Sequence, residues 1–251
     1  MIGMKRLTIV VPYRDRPSQL KEFIGMVGAY FARDKVDRHI PYQVFIIEQE
    51  AGLQFNIGAL RNIGFELGHG ESDYTCFHDV DYLPIWADYS WSDVPTCLVW
   101  YGAETRPISK QSKLRVRHDL EHFYGGVTLT PNALFVAVDG YANDYWGWGY
   151  EDLDLKTRFQ RAGIPFGHRK GTFRPLDHGN RGFLDDGQPT EEAVANRRRF
   201  DERWSSQSGM RRGAGGLTTM NYEILRRDRL SDPALAERPA RWELVKVRLK
   251  Q

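Results

Sequence analysis

The chain has 251 residues, 41% of them hydrophobic and 27% charged, which suits one large soluble domain with a real core and argues against disorder. A formal net charge of +2 gives no reason to expect nucleic acid or a membrane surface as partner, and no run of about 18 apolar residues is present to span a bilayer. The two cysteines, Cys76 and Cys97, fall outside any CxxC or Cys/His zinc pattern and point to free buried thiols in a reducing compartment, with a single disulfide left open.

No signal peptide precedes the first strand-like segment, so the expected location is cytoplasmic, or peripheral to the inner face of a membrane. Residues 7–13 form a short β-branched run, as expected of a strand buried on both faces of a parallel sheet. Arg14, Asp15 and Arg16 follow at its carboxyl end, where open α/β sheets bind ligands, and Pro17 starts a helix with Leu20, Phe23, Ile24, Val27 and Phe31 on one face. A second strand is predicted over 43–48, a second helix over 55–67 with Gly68 as its stop, and a third strand over 74–80. This alternation predicts a Rossmann-like α/β domain, a mostly parallel central sheet with helices on both faces.

The third strand ends in His78-Asp79-Val80-Asp81, two carboxylates that extended backbone would point the same way. Such a pair offers hard oxygen ligands to Mn²⁺ or Mg²⁺, although two acids closing a strand and capping a turn is the plainer reading. Residues 97–102 read as a strand and 106–117 as a basic loop, more in keeping with solvated surface than with a binding patch. A strand over 123–129 contains Gly125 and Gly126, which allow close approach of backbone to a ligand, and Thr130-Pro131 opens a helix over 132–138 that Gly140 ends.

Residues 145–154, Tyr-Trp-Gly-Trp-Gly-Tyr-Glu-Asp-Leu-Asp, place two tryptophans and two glycines before a cluster of acids. The glycines free the backbone to present the faces of Trp146 and Trp148 to a flat ligand such as a sugar, or merely to pack them. Glu151, Asp152 and Asp154 open a helix that Gly163 stops, a position the macrodipole alone favours for acids. His178 is one of seven histidines and would ordinarily be structural. Residues 178–200 suggest a lid or an ordinary surface loop, 191–204 a charged helix, and 205–216 a flexible stretch. Segments 218–225 and 242–249 alternate like two half-exposed strands, so residues 1–215 form the main domain and 216–251 a strand pair closing it.

Five segments, in order, resemble the β-1,4-galactosyltransferase family of inverting, metal-dependent glycosyltransferases with the GT-A fold. They are Val11-Pro12-Tyr13-Arg14-Asp15-Arg16, Phe55-Asn56 with Asn62-Ile63-Gly64-Phe65, His78-Asp79-Val80-Asp81, Tyr124-Gly125-Gly126-Val127, and Tyr145-Trp146-Gly147-Trp148-Gly149-Tyr150-Glu151-Asp152. The resemblance implies a UDP-sugar donor held by Pro12, Tyr13, Arg14, Arg16, Phe55, Asp79, Val80, Phe123, Gly126 and the lid residue Trp148. It further implies an acceptor sugar held by Tyr124, Gly149, Tyr150, Glu151 and Asp152, with Asp152 as general base, and Mn²⁺ or Mg²⁺ on Asp81 and His178.

The chain departs from the family pattern in four respects. Ile57 stands where an arginine is usual, which makes Arg61 the candidate for a diphosphate contact, and Tyr150 replaces a glycine before Glu-Asp. Pro175 and Leu176 occupy places near His178 where a second ligand often sits, leaving Asp177 or water, and the bulk of Phe123 favours galactose as donor sugar. Other readings are an N-acetylhexosaminyl- or glucuronosyltransferase of polysaccharide synthesis, or a nucleotide-sugar binding protein without catalysis.

Overall fold

The computed structural model describes residues 4–33, 40–99, 124–176, 182, 184, 186–205, 215–233 and 240–250. Strand β1 (Leu7–Tyr13) is buried throughout and pairs in parallel with β2 (Tyr42–Gln49) on one side and β3 (Tyr74–His78) on the other. Two helices connect them, α1 (Pro17–Ala32) and α2 (Ile57–Gly68). Short strand β4 (Tyr82–Ala87) leaves the main sheet, after which β5 (Thr96–Cys97) and β6 (Val127–Pro131) join it, β6 running antiparallel to β3. Then come α3 (Asn132–Ala137), α4 (Glu151–Arg161), β7 (Gly167–His168), β8 (Gly171–Pro175), α5 (Glu191–Trp204), β9 (Tyr222–Leu230) and β10 (Arg241–Leu249).

Among the described residues the main sheet has eight strands in the order β7-β5-β6-β3-β1-β2-β10-β9, and β4 pairs with β8 in a separate ribbon. Strand β10 adds in parallel to β2, and β9 pairs antiparallel with β10 at the edge of the sheet. Helix α2 lies close on β1 and β2 because Gly64 faces Val10 and Ile47; a Cβ there would come within 2.2 Å of Val10 Cγ1. The core strands thus run as continuous apolar segments, as sheets covered by helices require. No helix among the described residues is long and apolar enough to cross a membrane.

Several boundaries differ from expectation, each for a local reason. The third strand stops at His78, because the Tyr82 N–H bonds to the Asp79 carbonyl at 3.2 Å and turns the chain into β4. The two aspartates therefore sit in a turn and not on an extended strand. Pro84 hid β4, yet proline is tolerated in this outlying ribbon, where the pairing with β8 shifts register between Pro84 and Trp86. Strand β6 begins at Val127, after Gly126 adopts φ +72, and Pro131 rather than Thr130 takes the cap position of α3. The strand expected over 97–102 contributes only Thr96–Cys97 among described residues, and 106–117 lies outside them. The predicted 218–225 strand begins later, at Tyr222, since Leu217–Thr219 form a 3-10 turn. Residues 191–204 form the expected helix, so the second half of the anticipated lid is regular structure. Cys76 and Cys97 are both buried and both free.

Asp154 joins α4 to α5. Its side chain is fully buried and accepts from Arg158 Nε at 2.8 Å, Arg203 Nη1 at 2.7 Å, Trp204 Nε1 at 2.9 Å and the Tyr145 hydroxyl at 3.1 Å. Removing one member of such a network leaves buried charges without a partner. Asp154→Asn should lower stability by about 3–5 kcal/mol, measured by denaturant unfolding, while Asp152→Asn should cost far less; equal losses would contradict the assignment of Asp154 as the structural acid.

Candidate active site

The carboxyl ends of β1 and β3 and the N-terminus of α4 meet in one region. Past β1, Asp15 takes φ +52, a left-handed value that turns Arg14 and Arg16 to different sides. Arg14 donates to the Leu53 carbonyl at 2.7 Å, and its guanidinium lies 5.2 Å from the Phe55 ring centroid. Arg16 Nη1 lies 3.9 Å from the buried carboxylate of Asp81. Pro12 and Tyr13 are buried in the strand itself, whereas Arg14 and Arg16 are part-exposed and Asp15 is exposed.

Asp79 and Asp152 are brought together by Arg61. The guanidinium, 1% exposed, donates from Nη2 to Asp79 Oδ1 at 2.8 Å and from Nη1 to Asp152 Oδ1 at 2.5 Å, with Glu151 Oε1 at 3.8 Å. It also lies 5.0 Å from the centroid of the Tyr141 ring, whose hydroxyl reaches Asp152 Oδ1 at 3.3 Å. The expectation that Arg61 supplies a diphosphate contact in place of Ile57 is therefore corrected: its charge is committed inward to three acids. A charged residue inside the otherwise apolar run Gly-Ala-Leu-Arg-Asn-Ile-Gly-Phe was the sequence signal of a buried pair.

One cation facing three carboxyls leaves an excess of negative charge, which the most buried of them relieves. Burial first, then the charge of Asp152, pushes the Glu151 carboxyl up to about 8, so it keeps its proton at neutral pH. A hydrogen bond links it to Asp152. Asp152 is itself raised by burial, against which Arg61, Tyr141 and Glu151 all pull it down, and its side chain stays one quarter exposed (25%). Burial raises Asp79 to about 6, opposed by Arg61. The Arg61 guanidinium is the largest of the influences that favour the ionised form of Asp152. His78 belongs to the frame: burial lowers it to about 4, and the neutral ring bridges the Asp79 carbonyl and the Tyr89 hydroxyl.

The Trp-Gly-Trp segment is clamped from two helices. Asn62 on α2 donates to the Tyr141 carbonyl and accepts from its N–H, while Asn56 donates to the Asn143 carbonyl. Gly147 N–H bonds to the Phe55 carbonyl at 2.8 Å, and Asn196 on α5 donates to the carbonyls of Trp146 and Trp148. Trp146 is half-buried against the core, whereas Trp148 is 44% exposed, with Gly182 so close that a Cβ there would lie 2.2 Å from its ring. Tyr150 adopts φ +74, the value a glycine would take freely, and its ring packs on Phe200 with centroids 5.7 Å apart. Gly149, at φ +92, has open space around it.

The remaining expected residues divide between wall and unassigned chain. Tyr124 is buried against Phe159 and Phe166, so it forms wall and not an open acceptor contact. Gly126 is needed for its φ and because a Cβ would press on Tyr82 and Val99 at 3.3 Å, a packing reason in place of the expected approach to a ligand; its carbonyl accepts the Asp79 N–H. Val80 is buried beside the turn. Phe123, Asp177 and His178 lie outside the described residues. The Leu176 N–H, two residues before His178, bonds to the Asp81 carbonyl at 2.7 Å. Asn62, Tyr141, Asn196 and Asp154 are the supporting residues to which the sequence assigned no such role; the trace of Asn62 and Asn196 was a polar position on an otherwise core-facing side of α2 and α5, and that of Asp154 an acid in the first turn of α4.

The site stands within a recognised family. The N-terminal region of glycosyl transferase group 7 matches residues 2–91, and the N-terminal domain of galactosyltransferase matches residues 105–178. The chain is 28% identical over 232 residues to β-1,4-galactosyltransferase 7 of Drosophila melanogaster, covering 89% of this chain and 65% of that protein. It is 29% identical over 236 residues to the human protein of the same name, covering 91% and 64%. It thus spans a little under two thirds of the length of these relatives. The fold superposes with a TM-score of 0.71 and 22% identity on a mutant of Drosophila β-1,4-galactosyltransferase 7 crystallised with manganese, UDP-Gal and xylobiose, covering 98% of this chain and 95% of that one. That likeness establishes the GT-A fold. With both group 7 regions matched in tandem around the Arg61 cluster, the chain belongs to the β-1,4-galactosyltransferase family of glycosyltransferases.

Proposed function

We propose that this protein is an inverting glycosyltransferase that moves galactose from UDP-galactose to a hydroxyl of an acceptor sugar, with Asp152 as general base. The observation that carries the reading is the meeting of Asp79 and Asp152 on the two arms of one guanidinium, since it unites the nucleotide-sugar end of β3 with the acid that opens α4. The Drosophila relative bound to manganese, UDP-Gal and xylobiose supports donor, metal and acceptor class together. We place the activity in the cytoplasm, a reading supported by two buried free thiols.

Arg14 and Phe55 form a stacked pair suited to a flat base, and Arg16 is positioned for the diphosphate. Asp81 fits a hard cation: its carboxylate is buried at a turn, and its carbonyl accepts the N–H of Leu176, two residues before His178 in sequence. Oxygen and imidazole donors suit Mn²⁺, with Mg²⁺ as substitute. No group of three His, Cys, Asp or Glu side chains able to hold a metal occurs among the described residues, which leaves further ligand positions to the diphosphate and water. When bound on Asp81 and His178, the ion would neutralise charge growing on UDP.

Asp152 takes the proton of the acceptor hydroxyl as that oxygen forms a bond to the anomeric carbon and the bond to UDP breaks on the opposite face. One base suffices because the departing diphosphate is stable as an anion and needs no proton. Glu151, neutral at pH 7, has one O–H, which is donated to Asp152. Trp148, exposed at the rim, offers an apolar edge that excludes water from the donor.

Transfer should be read with a panel of UDP-sugars, Mn²⁺ and xylobiose, where UDP-galactose is expected to lead; preference for a UDP-N-acetylhexosamine or UDP-glucuronate would reassign the donor, and absence of any transfer would leave a binding protein. Asp152→Asn should lower kcat by about 10²–10⁴-fold with UDP affinity nearly unchanged, and turnover at the wild-type rate would refute the base. A second test uses pH. The raised Glu151 carboxyl contributes stability that is fully present below its unfolded value of about 4.3 and is lost as pH climbs through about 8. Glu151→Gln should therefore flatten the fall of Tm between those limits, and an unchanged slope would show that Glu151 ionises normally.

A further inference from the structure

Arg61 is too deeply buried to touch either substrate, yet it is bonded to acids from both halves of the site. We propose that Arg61 is a positioning residue of the transfer reaction, fixing Asp152 on α4 relative to Asp79 at the end of β3 so that base and donor meet at one spacing. This rests on the reading of Asp152 as the base.

The geometry leaves the guanidinium little freedom. Its two Nη atoms go to different elements, its face lies on Tyr141, and Tyr141 is itself held at both backbone groups by Asn62, the next residue along α2. Arg61 and Tyr141 both bond Oδ1 of Asp152, so the carboxylate is gripped through one oxygen by two groups whose positions α2 sets. A lysine ammonium is a point charge on a flexible stem and has no planar fork to match two carboxylates at once.

The charge environment agrees. Groups facing Asp152 are Arg61 from α2, Tyr141 from the loop before α4, Glu151 beside it and Asp79 past β3, with Cys97 of β5 and Tyr124 before β6 within electrostatic reach. Arg61 is the cation of that set. Without it, burial and the neighbouring acids would act on Asp152 with no opposing charge.

The full chain with UDP-galactose, Mn²⁺ and xylobiose gives the first measurement. Arg61→Met should lower kcat at pH 7 by about 10²-fold and move the acid limb of the kcat profile up by about 1–3 pH units, with KM for UDP-galactose changed by less than about threefold. Arg61→Gln serves the same purpose if the methionine variant does not fold. Arg61→Lys keeps the charge and loses the fork, so its acid limb should stay near the wild-type position while kcat falls about tenfold. The second measurement needs no turnover: infrared titration of the metal-free chain, with Asp152→Asn identifying the band, should show the Asp152 carboxyl protonating at higher pH in Arg61→Met. An acid limb and an Asp152 titration that both stay in place once the charge is removed would overturn the proposal. A wild type inactive with every UDP-sugar would instead sink the functional reading, and the titration would still decide the role of Arg61.

Discussion

A guanidinium with almost no access to water, surrounded by three carboxyl groups, constrains everything near it. Burying any one of these charges alone would cost several kcal/mol, so the cluster depends on a small net charge and on charge-assisted hydrogen bonds. Glu151 retains its proton while Asp79 and Asp152 take the two Nη atoms of Arg61, and the buried Nε is left without a hydrogen-bond partner. The consequence is geometric as much as electrostatic. Two acids separated by more than seventy positions in the chain cannot drift apart without stranding the charge between them, so the end of β3 and the start of α4 are held together.

That demand reaches outward through α2. The helix buries not an apolar stripe alone but Arg61 and Asn62 in sequence, and caps itself with Asn56, whose side chain accepts from Ala59 N–H at 2.9 Å. Its glycines at 64 and 68 bring it close to β1 and β2, where Val10, Thr8 and Phe45 lie within contact of any added Cβ. Seated this tightly, α2 can present three polar side chains at fixed heights to the loop that leads into Trp146 and Trp148. From the other side α5 supplies Asn196 to the same loop, and α5 is anchored in turn by Arg203 and Trp204 on Asp154. Two successive acids of α4 thus separate in role by depth: Asp154 is wholly buried and structural, and Asp152 keeps an open edge toward solvent.

Apolar runs and amphipathic spacing were enough to read β1, α1, β2 and α2 from sequence, since each rests on a pattern that burial on a covered sheet produces, while α4 was read from its first-turn acids and the Gly163 stop and α5 from its charge. What escaped was decided by contacts between distant residues. Strand β4 contains Pro84 and pairs outside the main sheet, so neither its composition nor its surroundings announce a strand. The Asp79–Asp81 spacing looked like one shared direction; a turn hydrogen bond at Tyr82 sends one toward Arg61 and the other toward Arg16. The acids of the Trp-Gly-Trp segment were visible as a group, but nothing local distinguishes Asp152 from Asp154. Only the partners do, and those come from α2 and α5.

Arg61 also gives meaning to Ile57. The two positions are one helical turn apart on α2, so they face similarly and differ in depth along the helix axis. Isoleucine stands at the first turn, where the resemblance implies an arginine on the diphosphate, and the positive charge of α2 lies at the second turn, buried and bonded to Asp79 and Asp152. Among the described residues Arg16 lies near Asp81, carried on the loop after β1 and 39% exposed, so it can move with a ligand as a buried helix residue cannot. Tyr150 follows the same logic on α4. A non-glycine residue at φ +74 is strained by roughly 1–3 kcal/mol, and its ring against Phe200 on α5 offsets part of that. The strained residue lies directly before Glu151, so the packing that holds Tyr150 to α5 also sets the direction in which α4 starts. The start of α4 is consequently fixed through Asp152 by a charge and through Tyr150 by a ring, two constraints of different physical kind acting on one helix terminus.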